Sequence, residues 1–89
     1  MLDSDSELIA RTREGDLSAF ESLFHKYQNQ IYRTALGITG DHGMADEILQ
    51  DCFLKAYRHI DHLHGDYSLP PWLYRITVNL SYDYLRRHE

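Results

Sequence analysis

The sequence predicts an all-α fold, a compact bundle of four helices with one short N-terminal helix and three longer ones. Three observations carry that expectation. Apolar residues recur at spacings of three and four in successive stretches, which is the period of one face of a helix. The stretches are bounded by residues that start and stop helices, among them Ser4, Gly15, Asp16, Asp41 and the pair Pro70 and Pro71. No strand-like alternation of useful length occurs, and there is no internal repeat or low-complexity linker that would divide the chain.

Taken in order, Ser4 followed by Glu7 is a capping box ahead of Leu8 and Ile9, and Gly15 closes a short helix over residues 5–14. Asp16 caps a second helix that places Leu17, Phe20, Leu23, Phe24, Tyr27, Ile31 and Leu36 or Ile38 on its inner side and runs to about Gly37. The stretch TGDHG, residues 39–43, is a turn by composition, with Asp41 as the next cap. The third helix turns Ala45, Ile48, Leu49, Cys52, Phe53, Ala56, Tyr57 and Ile60 inward. Its outer side carries Asp46, Glu47, Gln50 and Asp51, in the first half of the helix, where the acids among them also suit the positive end of the dipole. That face reads equally well as a solvated surface.

Residues 61–68, DHLHGDYS, lack a period and are rich in turn formers, so they deliver the chain as a loop into the last helix. Ser68 is its expected cap, and Pro70 and Pro71 fit a first turn because the amides they lack have no partner there. Trp72, Leu73, Ile76, Leu80 and Tyr84 then form the inner stripe. Rotated away are Arg75, Asn79, Tyr82, Arg86 and Arg87, which can hold phosphates, bond base edges and stack on bases. An ordinary wet face with Arg and Tyr has the same composition.

Eighty-nine residues suffice for one small core. The net charge of −5 argues against coating duplex DNA unaided, since such affinity comes from many cationic contacts to phosphate. The charge is uneven. Residues 1–51 hold ten acids against four bases, and residues 52–89 hold four acids against five bases, which suggests two different partners. A single cysteine, Cys52, excludes a disulfide within the chain. No apolar run approaches the ~20 residues a bilayer span requires, and the acidic start is unlike a secretion signal, so a cytoplasmic location without membrane insertion is expected.

Six histidines raise the question of a metal, and His59, Asp61, His62, His64 and Asp66 lie close together. Their spacing matches no common ligand motif, so a polar loop is expected and no metal or other cofactor. Phosphate-binding glycine loops and nucleophile elbows are missing as well. A binding module is expected rather than an enzyme; a metal-dependent enzyme built on the histidine loop is the competing reading.

Three phrases together resemble one family. GDLSAFESLFHKYQNQIYRTA (residues 15–35), ADEILQDCFLKAY (45–57) and WLYRITVNLSYDYLRR (72–87) follow the order and spacing of the promoter-melting domain, region 2, of extracytoplasmic-function sigma factors of bacterial RNA polymerase. The family's usual Ala-Glu-Asp order reads Ala45-Asp46-Glu47 here, and the loop is unusually rich in histidine.

The resemblance implies that the third helix docks on the clamp helices of the largest polymerase subunit through Asp46, Glu47, Gln50, Asp51, Leu54 and Arg58. It implies that Tyr74, Arg75, Asn79, Tyr82, Arg86 and Arg87 contact the single-stranded non-template strand of the minus-ten promoter element. A flipped base would enter a pocket formed by His62, Leu63, His64, Gly65, Asp66, Tyr67, Ser68 and Leu69. An anti-sigma factor is a further implied partner. Family members continue into a helix-turn-helix domain, so residues 1–89 read as one excised region 2 domain. The competing reading within this class is a decoy that keeps protein docking and has lost strand capture.

Overall fold

A computed structural model describes residues 4–63 and 69–88. The described residues form α1 (Asp5–Arg13), α2 (Leu17–Thr39), α3 (His42–Arg58) and α4 (Leu69–Arg87), with a 3-10 turn over Ile60–His62. No strand occurs among the described residues.

The helix boundaries follow from their caps. The Ser4 hydroxyl accepts from the Glu7 amide at 3.2 Å, the Asp16 carboxylate accepts from Ala19 at 3.2 Å and the Asp41 carboxylate accepts from Met44 at 2.9 Å. Each satisfies an amide that the first helical turn leaves without a partner. Asp16 also accepts from the Ser18 hydroxyl at 2.6 Å and from the Arg11 guanidinium at 3.0 Å. These bonds, Ser18 first, hold its carboxyl down at about 2.

The second helix runs two residues beyond the expected stop at Gly37. It ends where Gly40 adopts φ +67 and donates its amide to the Leu36 carbonyl at 2.7 Å. Gly37 continues the helical backbone without a positive φ, whereas Gly40 adopts one, so Gly40 is the C-terminal stop of α2. Residue 14 likewise falls outside α1, as the cap residue.

The core has two connected parts. In the larger, Phe20 lies with its ring centroid 5.0 Å from Phe53 and 5.2 Å from Tyr57, and Phe24 meets Phe53 edge-on at 5.1 Å. Leu8 and Ile9 of α1, Leu23 and Ile31 of α2, and Leu73 and Ile76 of α4 close around these rings. The smaller part joins Ala35, Ala45, Ile48 and Tyr84. Leu17, expected inside, is 45% exposed, because Ala19 and Phe20 take the inward positions of that first turn.

Between α3 and α4 the seam is made of small side chains. Ala45, Cys52 and Ala56 of α3 and Thr77 and Ser81 of α4 are all fully buried. Thr77 and Ser81 did not belong to the expected stripe. Their hydroxyls donate to the carbonyls of Leu73 at 2.8 Å and Thr77 at 2.7 Å, one turn back, so the polar atoms are satisfied within α4 itself. Cys52 lies 3.6 Å from the Thr77 hydroxyl, and burial pushes its thiol up to about 11. It is an inert packing residue.

Candidate nucleic-acid interface and docking face

With Leu73, Ile76, Thr77, Ser81 and Tyr84 committed to the interior, the helical period fixes what α4 shows outward. Tyr74, Arg75, Asn79, Tyr82, Arg86 and Arg87 are all exposed, Tyr74 at 61% and Tyr82 at 50%. They do not form one uniform surface. At 3.6 residues per turn Arg75, Asn79, Tyr82 and Arg86 share an arc of about 60°. Arg86 is paired with Asp83 on the same helix. Arg87 lies on the flank toward α3, its guanidinium carbon 4.5 Å from the centre of the Tyr84 ring, a cation–π contact.

The N-terminal half of this face borders a groove. Pro70, Pro71, Tyr74, Arg75, Val78 and Asn79 of α4 stand opposite Gln30 and Thr34 of α2, enclosing about 730 Å³. Gln30 and Thr34 were missed from the sequence. They lie outside the apolar stripe of α2, and nothing in its own pattern says that α4 crosses beside them.

Of the segment assigned to a flipped base, His64, Gly65, Asp66, Tyr67 and Ser68, with the Ser68 cap, lie outside the described residues. The two leucines of that set require a correction. Leu63 is 2% exposed and Leu69 1% exposed, both within the main core cluster. Their side chains fasten the two ends of the connection to the bundle and do not line an open pocket; burying a Leu side chain is worth about 1.5–3 kcal/mol. His62 is exposed, in the 3-10 turn that extends what was expected to be loop, with its ring 5.3 Å from that of His59. Among the described residues no group of three or more His, Cys, Asp or Glu is placed to hold a metal ion.

On α3, Asp46, Glu47, Gln50, Leu54 and Arg58 are exposed. Asp51, expected to face fully outward, is half-buried and accepts a hydrogen bond from the Tyr84 hydroxyl of α4. That bond, with burial second, pushes the Tyr84 phenol up to about 12. The Asp51 carboxylate is therefore a structural link between α3 and α4 as well as part of the acidic face. Leu54, 51% exposed, edges a second groove of about 500 Å³ whose floor is Phe24, Leu49 and Phe53 and whose α2 rim is Glu21, His25 and Gln28.

A helical bundle with an acidic face on one helix and a cationic, aromatic, amide-bearing face on the next has the form of a binding domain with two partners. The family model for sigma-70 region 2 matches residues 23–89, and the chain belongs to that family. It is 35% identical over 83 residues to the RNA polymerase sigma-H factor of Pseudomonas aeruginosa, covering 93% of this chain and 43% of the relative. It is 39% identical over 84 residues to the ECF RNA polymerase sigma factor SigM of Mycobacterium tuberculosis, covering 94% of this chain and 43% of the relative. The chain thus spans less than half the length of these relatives. Among solved structures it is similar to an engineered region 2 of sigmaE in complex with GTAAAA, determined by NMR. That match has a TM-score of 0.87 and 32% identity, covering 96% of this chain and 88% of the other. No helix among the described residues is long and apolar enough to cross a membrane.

Proposed function

We propose that this chain acts in transcription initiation as the part of a sigma factor that docks on RNA polymerase through α3 and captures unpaired promoter DNA through α4. The docking partner is the pair of clamp helices of the largest polymerase subunit. Asp46, Glu47, Gln50 and Leu54 offer carboxylates, an amide and an exposed apolar side chain to it, with Arg58 at the C-terminal end of the same helix. The DNA partner is the non-template strand of the minus-ten element. Arg75 and Arg86 would hold phosphates, Asn79 a base edge, and Tyr74 and Tyr82 would stack.

The observation that carries this reading is the exposure of Tyr74, Arg75, Asn79 and Tyr82 on a helix whose opposite side is sealed into the core. The similar engineered region 2 of sigmaE was solved in complex with GTAAAA. Energetics set the division of labour. Separating duplex DNA costs about 1.4 kcal/mol per stacked step, and a base caught by stacking returns about 1–3 kcal/mol. A domain this small traps strands that are already parting. Its net charge of −5 disfavours free duplex until a partner holds it there.

The test is a titration of the chain with short single strands carrying a minus-ten element or its scrambled version, beside pull-down of core polymerase. The reading expects tighter, salt-dependent binding of the element and retention of polymerase. Polymerase retention with equally negligible binding of both strands would point instead to a docking module without DNA capture.

A further inference from the structure

Arg75 and Asn79 form one wall of the groove between α2 and α4; the other belongs to a helix with no part in the strand contacts described so far. We propose that Gln30 and Thr34 of α2 are base-reading residues, and that the groove holds one unpaired nucleotide of the captured strand between them and α4. The proposal rests on the strand-binding reading of α4 and extends it to a second helix.

The groove's size and chemistry fit that ligand. Its volume of about 730 Å³ falls within the ~300–1,000 Å³ common for small-ligand sites. Pro70, Pro71 and Val78 give it apolar surface, and the exposed Tyr74 ring gives it a stacking platform. Arg75 brings a cation for a phosphate. No Asp or Glu lines it, although the chain as a whole carries five excess negative charges. The amides of Gln30 and Asn79 come from opposite helices, and neither makes a hydrogen bond among the described residues.

A carboxamide donates and accepts at adjacent atoms, which is the pattern a base edge requires; with adenine it can do so in bidentate fashion. The groove continues into a recess of about 40 Å³ between Tyr27, Ile31, Leu73 and Thr77. That recess is too small for an aromatic ring, so the base stays in the outer groove, level with the two amides.

Fluorescence anisotropy tests this with the single strand GTAAAA and the set in which each position is replaced in turn. The proteins are the unmodified chain, Gln30→Met, Thr34→Val and Arg75→Ala. Gln30→Met keeps the length of an exposed side chain and removes its amide, and unchanged circular dichroism would show that the fold is kept. Gln30→Met should weaken the best strand by about tenfold and level the base preference at one position, leaving the salt dependence as it was. Thr34→Val should act at the same position, more weakly. Arg75→Ala should weaken all strands alike and lower the salt slope.

If Gln30→Met and Thr34→Val leave affinity and base ranking untouched while Arg75→Ala still weakens binding, the α2 wall is overturned and the α4 face stands. If the unmodified chain binds none of the strands, the strand-binding reading falls and the groove proposal with it.

Discussion

The outward faces of α3 and α4 are built differently, and the difference shows how a small bundle can present two unlike surfaces side by side. The α3 face rests on a stripe of small or compact residues, Ala45, Ile48, Cys52 and Ala56, each fully buried, so the helix axis sits close to its neighbours. Its acidic groups are short, and one of them, Asp51, is drawn inward by Tyr84. The α4 face carries long side chains that reach away from the bundle, and its hydroxyl-bearing inner residues bond within their own helix. Tyr84 joins the two faces, with its hydroxyl on Asp51 and its ring under Arg87. A carboxylate face is thereby held beside a cationic one, and among the described residues no ion pair links α3 to α4.

The sharpest way to break this arrangement is at its packing. Ile48→Ala should cost about 2–5 kcal/mol in a fully buried site, read as a melting temperature about 10 °C lower or more. Both faces should then weaken together.

Charge reversal separates the faces. Glu47→Arg should lower polymerase association by about tenfold or more and leave single-strand affinity unreduced. A parallel loss of strand affinity would show that the two faces are not independent.

Tyr84→Phe should have a smaller effect. It keeps the ring under Arg87 and removes the bond to Asp51, so a loss of about 1 kcal/mol is expected in urea unfolding. If stability is unchanged, the Asp51 bond does not secure the α3–α4 seam.

The smallest effects come from titration. Tyr27, raised to about 12 by burial first and its bond to Asp5 second, and Tyr84, raised to about 12, both favour the neutral phenol in the folded chain. Their contribution is complete below pH 10 and is lost as the pH rises through 12. Tyr27→Phe with Tyr84→Phe should flatten the alkaline limb of a stability–pH curve. Asp16 works in the opposite sense: its contribution is present above pH 3.8 and disappears as the pH falls through about 2. Asp16→Asn should therefore remove a small acid-side slope.

How much of this was legible depended on whether a residue's role is local. Arg75, Asn79 and Tyr82 could be placed because a helix of known phase fixes which way each position turns, whatever the neighbours are. Asp51 could not be placed fully, since its half-burial depends on Tyr84, thirty-three residues further along. Leu63 and Leu69 were misread for a related reason. They flank a stretch without periodicity, and only the closed bundle reveals that both side chains reach the core. Thr77 and Ser81 are polar by type, and their burial is tolerated because each can bond back along α4.

The amino-acid order alone determined four helices, their caps at Ser4, Asp16 and Asp41, and the division of α3 and α4 into inner and outer sides, because caps and periodicity act within a turn or two of the chain. Tertiary structure decided that α2 and α4 enclose a groove, that Asp51 is held by Tyr84, and that both ends of the 63–69 connection are anchored in the core. Those outcomes depend on which helices meet and how closely, and that is set by the joint packing of side chains far apart in sequence.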